Sequence, residues 1–164
     1  MMIDRYLQFP LPQESSHILF SDRISLDSKN RFRIPTKIIN ALDVNSSALF
    51  DVLNFSDKEI PYIQYVLQKH RHNAQQTFLE DAKVTWCHDS YIIDWFAARE
   101  EYALRANTIT LDTHQRLLVP GSLREQLWLQ SAKEIHMIFS YPRIKVYSLD
   151  NYSRLLQSYA DRKK

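Results

Sequence analysis

Asp27 and Arg31 stand four residues apart in ISLDSKNRFRIP (24–35), and Asp112 and Arg116 stand four apart in ITLDTHQRLLVP (109–120). The second stretch repeats the first 85 positions later (109 − 24 = 85), with Ile, Leu, Asp, Arg and Pro at the same places. A carboxylate and a guanidinium at this spacing can pair across a tight turn, and cations left over can reach phosphates or guanine edges of a nucleic acid. Lys29 and Arg33 are such cations in the first copy. The second copy offers His114 in place of Lys29 and Leu118 in place of Arg33, so the first is the more cationic. Asp27, Asn30 and Asp112 are expected to shape the turns, Asn30 being a residue that tolerates positive φ. Gln115 in the matching place does so at a cost, which predicts a reshaped second turn.

Other chemistry is poorly provided for. His70 and His72 in the KHRH stretch (69–72) lie two apart, with no carboxylate or Cys at ligand spacing, and read as a solvated helix face. Cys87, His88 and Asp89 lack the separated base and orienting group that a nucleophile needs. Gly121 is the one glycine, which excludes a glycine-rich phosphate loop. No catalytic residue, metal, cofactor or small-molecule substrate is expected. Trp86, Trp95, Phe96, Trp128, Phe139 and Tyr147 are most simply core or subunit interface.

The 164 residues can build a sizeable core, and 45% hydrophobic with 24% charged residues mark an ordinary globular chain. A formal net charge of +2 is too small to argue for nucleic acid, so that case rests on where the cations sit. A lone cysteine, no signal-like N-terminus and no long apolar run favour a cytoplasmic protein with no membrane partner.

The elements needed to hold the two motifs follow from periodicity. Ile24, Leu26, Phe32 and Ile34 alternate with polar residues, which predicts a β-hairpin around Asp27–Asn30, and the same holds for the second copy. Pro35 ends a strand and opens a short helix with Ile38, Ile39 and Leu42 on its apolar side; GSLREQLWL follows Pro120 in the same way. Residues 132–148 read as two strands turning at Ser140–Arg143, before a helix from Leu149 or Asp150. A weaker echo of these strands is read at 82–104, which leaves a helical insert near 45–80 in the first copy. The expected organisation is an N-terminal extension (1–21), a first half with the insert (22–104) and a second half with a C-terminal helix (105–164).

LDSKNRFRIP and LDTHQRLLVP, each an Asp-x-x-x-Arg turn followed by an apolar strand, Pro and helix, resemble the MraZ family of bacterial transcriptional regulators, in the swapped-hairpin AbrB superfamily. The likeness runs over 22–43 and 106–157. It implies an α+β fold in which two tandem swapped-hairpin units form a pseudo-twofold β-barrel core, assembly into homo-oligomeric rings, and binding to repeated promoter elements upstream of division and cell-wall genes. It also implies nucleoid association and DNA binding by Arg31 and Arg116. The usual glycine before the motif Arg is replaced by Asn30 and Gln115.

The resulting expectation is a regulator that places Lys29, Arg31, Arg33, His114 and Arg116 on double-stranded DNA. Lys29 and Arg33 would set affinity, and Arg31 and Arg116 would face base edges. Pairing of each Asp with its own Arg is compatible with this. The alternative is a protein–protein interaction module of the same fold that has lost DNA binding.

Overall fold

The computed structural model describes residues 18–57, 59–72, 75, 100, 102–126 and 133–162. Among the described residues, strands β1 (Ile18–Ser25), β2 (Arg31–Arg33), β3 (Leu49–Asp57), β4 (Ile60–Leu67), β5 (Asn107–Thr110), β6 (Arg116–Leu118), β7 (Glu134–Ser140) and β8 (Arg143–Tyr147) are accompanied by helices α1 (Thr36–Leu42), α2 (Gly121–Gln126) and α3 (Leu149–Arg162), and residues 102–105 before β5 are also helical. The fold is α+β, with antiparallel pairing throughout.

Six strands form one sheet in the order β1-β7-β8-β4-β3-β5, and β2 and β6 form a separate two-stranded ribbon. Exchanging the repeats (β1 for β5, β3 for β7, β4 for β8) reads the same order backwards, so the topology has a pseudo-twofold axis. The registers obey it residue by residue. Ile24 faces Ile135 as Ile109 faces Phe50, and Ser25 faces Glu134 as Thr110 faces Leu49. Each repeat therefore gives its leading strand to the other repeat's side of the sheet.

This corrects the two expected hairpins. The arms of each turn do not form a ladder with one another; β1 pairs with β7, β5 with β3, and β2 with β6. Alternating periodicity marks a strand with one buried face and is silent about which strand it will pair with. The expected barrel is not closed by a ladder either, since β1 and β5 stand at opposite ends of the six-stranded order.

The helical insert is also corrected over its described part. Residues 49–57 and 60–67 are strands, paired from Phe50–Leu67 to Asp57–Ile60. They, and not the echo at 82–104, are the counterpart of β7 and β8. Most of 82–104 lies outside the described residues, as do Cys87, His88, Asp89, Trp86, Trp95, Phe96 and Trp128. The 85-residue offset of the turns persists from Leu49 to Glu134 (134 − 49 = 85), which leaves no room for an insertion between turn and hairpin. A 3-10 turn at Gln68–His70 follows β4, in the place where α3 follows β8. The strands expected in 132–148 and the helix after them are observed as β7, β8 and α3.

One face of the sheet, the ribbon and the two short helices enclose the larger core, in which Phe32, Ile34, Leu117 and Val119 are fully buried. Ile38, Ile39 and Leu42 bury the apolar side of α1, which starts after Pro35 with no side-chain cap and stops at Asp43 in the left-handed region. The opposite face of the sheet packs Leu53, Tyr62, Val66 and Tyr147 with Leu155 of α3 and with Tyr102, which precedes β5. In the second repeat, α2 and α3 thus lie on different faces of one sheet.

Phe32 pairs with Leu117 at the centre of the ribbon and meets Tyr65 edge-on at 5.4 Å, tying the ribbon to the sheet beneath. Phe32→Ala is expected to destabilise the chain by about 3–5 kcal/mol. Chemical denaturation checks this, and a loss below about 1 kcal/mol would show that the ribbon is not part of the core.

Candidate nucleic-acid interface

Each turn is built around its aspartate. Oδ1 of Asp27 accepts the amides of Lys29 and Arg31, each at 2.9 Å, while Oδ2 accepts Nε of Arg31 at 2.9 Å. Asp112 repeats this with the amides of His114 and Arg116 at 2.9 and 2.8 Å, and with Nε of Arg116 at 2.7 Å. The backbone closes both turns alike: the amide of Asp27 donates to the carbonyl of Arg31, and that of Asp112 to the carbonyl of Arg116. Asn30 and Gln115 both sit at φ 61°. The second turn is therefore not reshaped by its glutamine.

The left-handed residues have a further use. The carbonyl of Gln115 accepts the amide of Ile34 at 2.8 Å, and the carbonyl of Asn30 accepts the amide of Val119 at 2.9 Å. Positive φ turns each carbonyl toward the other repeat, and the cross-repeat bonds offset the strain of that conformation in residues with a Cβ.

The charges cross as well. Beyond its own aspartate, Arg31 lies 3.8 Å from Asp112 through Nη1, and Arg116 lies 3.7 Å from Asp27. Two carboxylates and two guanidiniums thus form a ring spanning both repeats, half-buried, with the arginine side chains 26% and 28% exposed. Hydrogen bonds to the charged form favour a carboxylate's ionisation. The amide of Arg31 above all holds the Asp27 carboxyl below its usual range. For Asp112 burial pushes upward, and the amide and guanidinium of Arg116 with the amide of His114 outweigh it, leaving the group lowered.

Phe32 and Leu117 occupy the inner face of the ribbon, so strand alternation puts Arg31, Arg33, Arg116 and Leu118 on its outer face. Arg33 lies opposite Arg116 and Arg31 opposite Leu118. Lys29, Arg33 and His114 are exposed. All five expected DNA-contacting side chains are brought to one ribbon and its turns, and Asp27, Asn30 and Asp112 lie in those turns. His114 stands beside the second arginine, its Nδ1 3.5 Å from Nη2 of Arg116.

One polar cluster escaped sequence reasoning. Asp51, 1% exposed within β3, accepts Nε and Nη2 of Arg71 at 2.7 and 3.1 Å, the hydroxyl of Tyr102 at 2.9 Å and Nε2 of Gln68 at 3.3 Å. Burial, then the Asp51 charge, pushes the Tyr102 hydroxyl's pKa upward. The signal was an aspartate interrupting the apolar run LFDVLNF. The KHRH stretch is exposed at Lys69, Arg71 and His72, while Lys69 donates to the carbonyl of Leu42, His70 packs edge-on against Tyr141, and Arg71 serves Asp51. No group of three or more His, Cys, Asp or Glu positioned to hold a metal occurs among the described residues.

Residues 103–163, which hold the second turn, the second ribbon strand, α2, β7, β8 and α3, match the family model MraZ, described as "MraZ protein, putative antitoxin-like". This stretch is similar to the MraZ family. The first repeat is tied to the matched stretch by the shared turn chemistry and the 85-residue offset, not by a match of its own. No curated protein matches the chain. The solution structure of PHS018 from Pyrococcus horikoshii is similar at a TM-score of 0.37 and 8% identity, over 80% of this chain and 92% of that one, a likeness too loose to assign the fold.

The aspartates give the turns an acid limb. Their folded pKa values lie below the unfolded value of 3.8, so the stabilisation they provide is complete above that pH and is lost as pH falls through the lowered values. Asp27→Asn/Asp112→Asn is expected to flatten the dependence of unfolding free energy on pH below about 4. An acid limb unchanged in the double variant, followed by denaturation at stepped pH, would place the sensitivity elsewhere.

Proposed function

We propose that this chain is a DNA-binding transcriptional regulator of the MraZ type, using the β2–β6 ribbon and its two turns on double-stranded DNA. The observation that carries this reading is the convergence of Lys29, Arg31, Arg33, His114 and Arg116 on one exposed ribbon whose other face is fully core. A two-stranded ribbon is narrow enough for the major groove, where Arg and Lys can meet phosphates and guanine edges. The MraZ match over residues 103–163 supports the same reading. In this proposal the swapped units are the halves 22–104 and 105–164, and the targets are promoter repeats of the chain's own division and cell-wall gene cluster on the nucleoid.

Four permanent cations, two of them facing carboxylates, would hold DNA weakly at physiological salt. Assembly of several copies on successive repeats, in a homo-oligomer or ring, raises effective concentration without new contacts. A second reading rests on the same face: Leu118 is 40% exposed beside Arg31, and Asp27 and Asp112 offset part of the charge, which would also suit a protein partner.

Binding of the full chain to labelled DNA from upstream of its own gene, against scrambled DNA, tests the proposal across a salt series. Preference for the upstream DNA is expected, with log affinity falling against log salt at a slope of about −0.9 per phosphate neutralised. Absence of binding to either DNA at low salt would overturn the regulator reading in favour of the protein partner.

A further inference from the structure

The outer face of the ribbon holds two kinds of cation. Arg31 and Arg116 each give Nε to the aspartate of their own turn and turn Nη1 toward the aspartate of the other, at 2.7–2.9 Å and 3.7–3.8 Å respectively. Reaching a base would take either guanidinium off two carboxylates and leave those acids facing a polyanion without their counterions. Lys29 and Arg33 are exposed, and among the described residues neither side chain has an ion-pair partner. The pseudo-symmetric places of these two cations hold His114 and Leu118 (29 + 85 and 33 + 85), so both belong to the first repeat, Lys29 in its turn and Arg33 on β2 opposite Arg116.

We propose that Asp27, Arg31, Asp112 and Arg116 form a clamp that sets the spacing of the two turns, and that Lys29 and Arg33, rather than the clamp arginines, make the phosphate contacts. This rests on the DNA reading above. Arg31 and Arg116 are then positioning residues: each holds the opposite turn through its aspartate, and DNA affinity depends on them through geometry. The aspartates share that dependence, although their own charge repels DNA.

That sign is the test. If the aspartates were only repulsive neighbours of DNA-contacting arginines, removing their charge would tighten binding. The clamp requires the reverse: Asp27→Asn and Asp112→Asn each weaken binding of the full chain to the upstream duplex, by roughly tenfold. Arg31→Lys, which keeps the charge and loses the two-armed guanidinium, is expected to weaken binding similarly without changing the salt slope. Lys29→Gln and Arg33→Gln are each expected to lower the magnitude of that slope by about one, with an unchanged melting temperature. Melting curves of every variant confirm that folded protein is compared, and Arg31→Lys carries the test where an aspartate variant does not fold. Tighter binding by Asp27→Asn or Asp112→Asn overturns the clamp, as does an Arg31→Gln variant that loses one unit of slope at unchanged melting temperature. A wild-type chain that binds no DNA at low salt overturns the regulator reading itself; wild-type binding with the wrong sign in the aspartate variants overturns only the clamp.

Discussion

The exchange of leading strands between the two repeats is the constraint on which the rest of this structure depends. Because β1 completes the side of the sheet built by β7 and β8, and β5 the side built by β3 and β4, neither repeat holds its own sheet together. The chain must cross from one side to the other at each turn, and both crossings are brought to one place by the β2–β6 ribbon. Ion pairs of this partly exposed kind each contribute at most about 1 kcal/mol, so the ring of Asp27, Arg31, Asp112 and Arg116 cannot be what keeps the chain folded. Stability comes from the apolar face beneath it, with Phe32, Ile34, Leu117 and Val119 at no exposure. The ring instead fixes how the two turns face each other, which is a matter of geometry.

Symmetry is kept where the backbone needs it and abandoned where side chains have only local neighbours to satisfy. Both turns keep Asp, Arg and a left-handed residue, because each of these groups bonds across to the other repeat. Inside the sheet the matching positions diverge. Asp51 in β3 corresponds to His136 in β7 (51 + 85), and both are buried polar residues. Asp51 is matched by Arg71 and Tyr102, whereas His136 binds the Ser21 hydroxyl at 2.8 Å and stacks on Tyr152 at 3.4 Å. Burying an ion costs several kcal/mol unless it is paired, so a carboxylate at this place demands the two-armed arginine. An imidazole, which can be buried neutral, needs only a ring and a hydroxyl.

The parts of the fold that were legible in the sequence were those written twice. The turns, their aspartates and the positive φ at Asn30 follow from residue types alone, and so do the strands and helix after residue 132. The strand exchange was not legible, because Ile24, Leu26, Phe32 and Ile34 show the same alternation whether their partners lie next door or in the other repeat. The helical insert read near 45–80 failed at IPYIQYVL, an apolar run buried on both faces of its strand. Such a run lacks period-two contrast and cannot be told from buried helix by pattern. The 85-residue offset held the correction: carried past the turns it pairs LFDVLNF with EIHMIFS, a segment whose strand character was plain.

For the interface, the sequence supplied the residues and the structure supplied their inequality. Five side chains were candidates on type and spacing; folding places two of them against carboxylates and leaves Lys29, Arg33 and His114 outward. A repeat written twice invites the assumption of two equal readers. The pseudo-axis passes through the Phe32–Leu117 pair (32 + 85); one step before it the ion-pair ring keeps Arg31 and Arg116 alike, and one step after it the residues are free to differ. Arg33 and Leu118 differ most, a cation and an apolar side chain at matched places on one face. Whatever this ribbon meets, it meets with two unlike edges, and a twofold backbone thereby presents a surface with a direction.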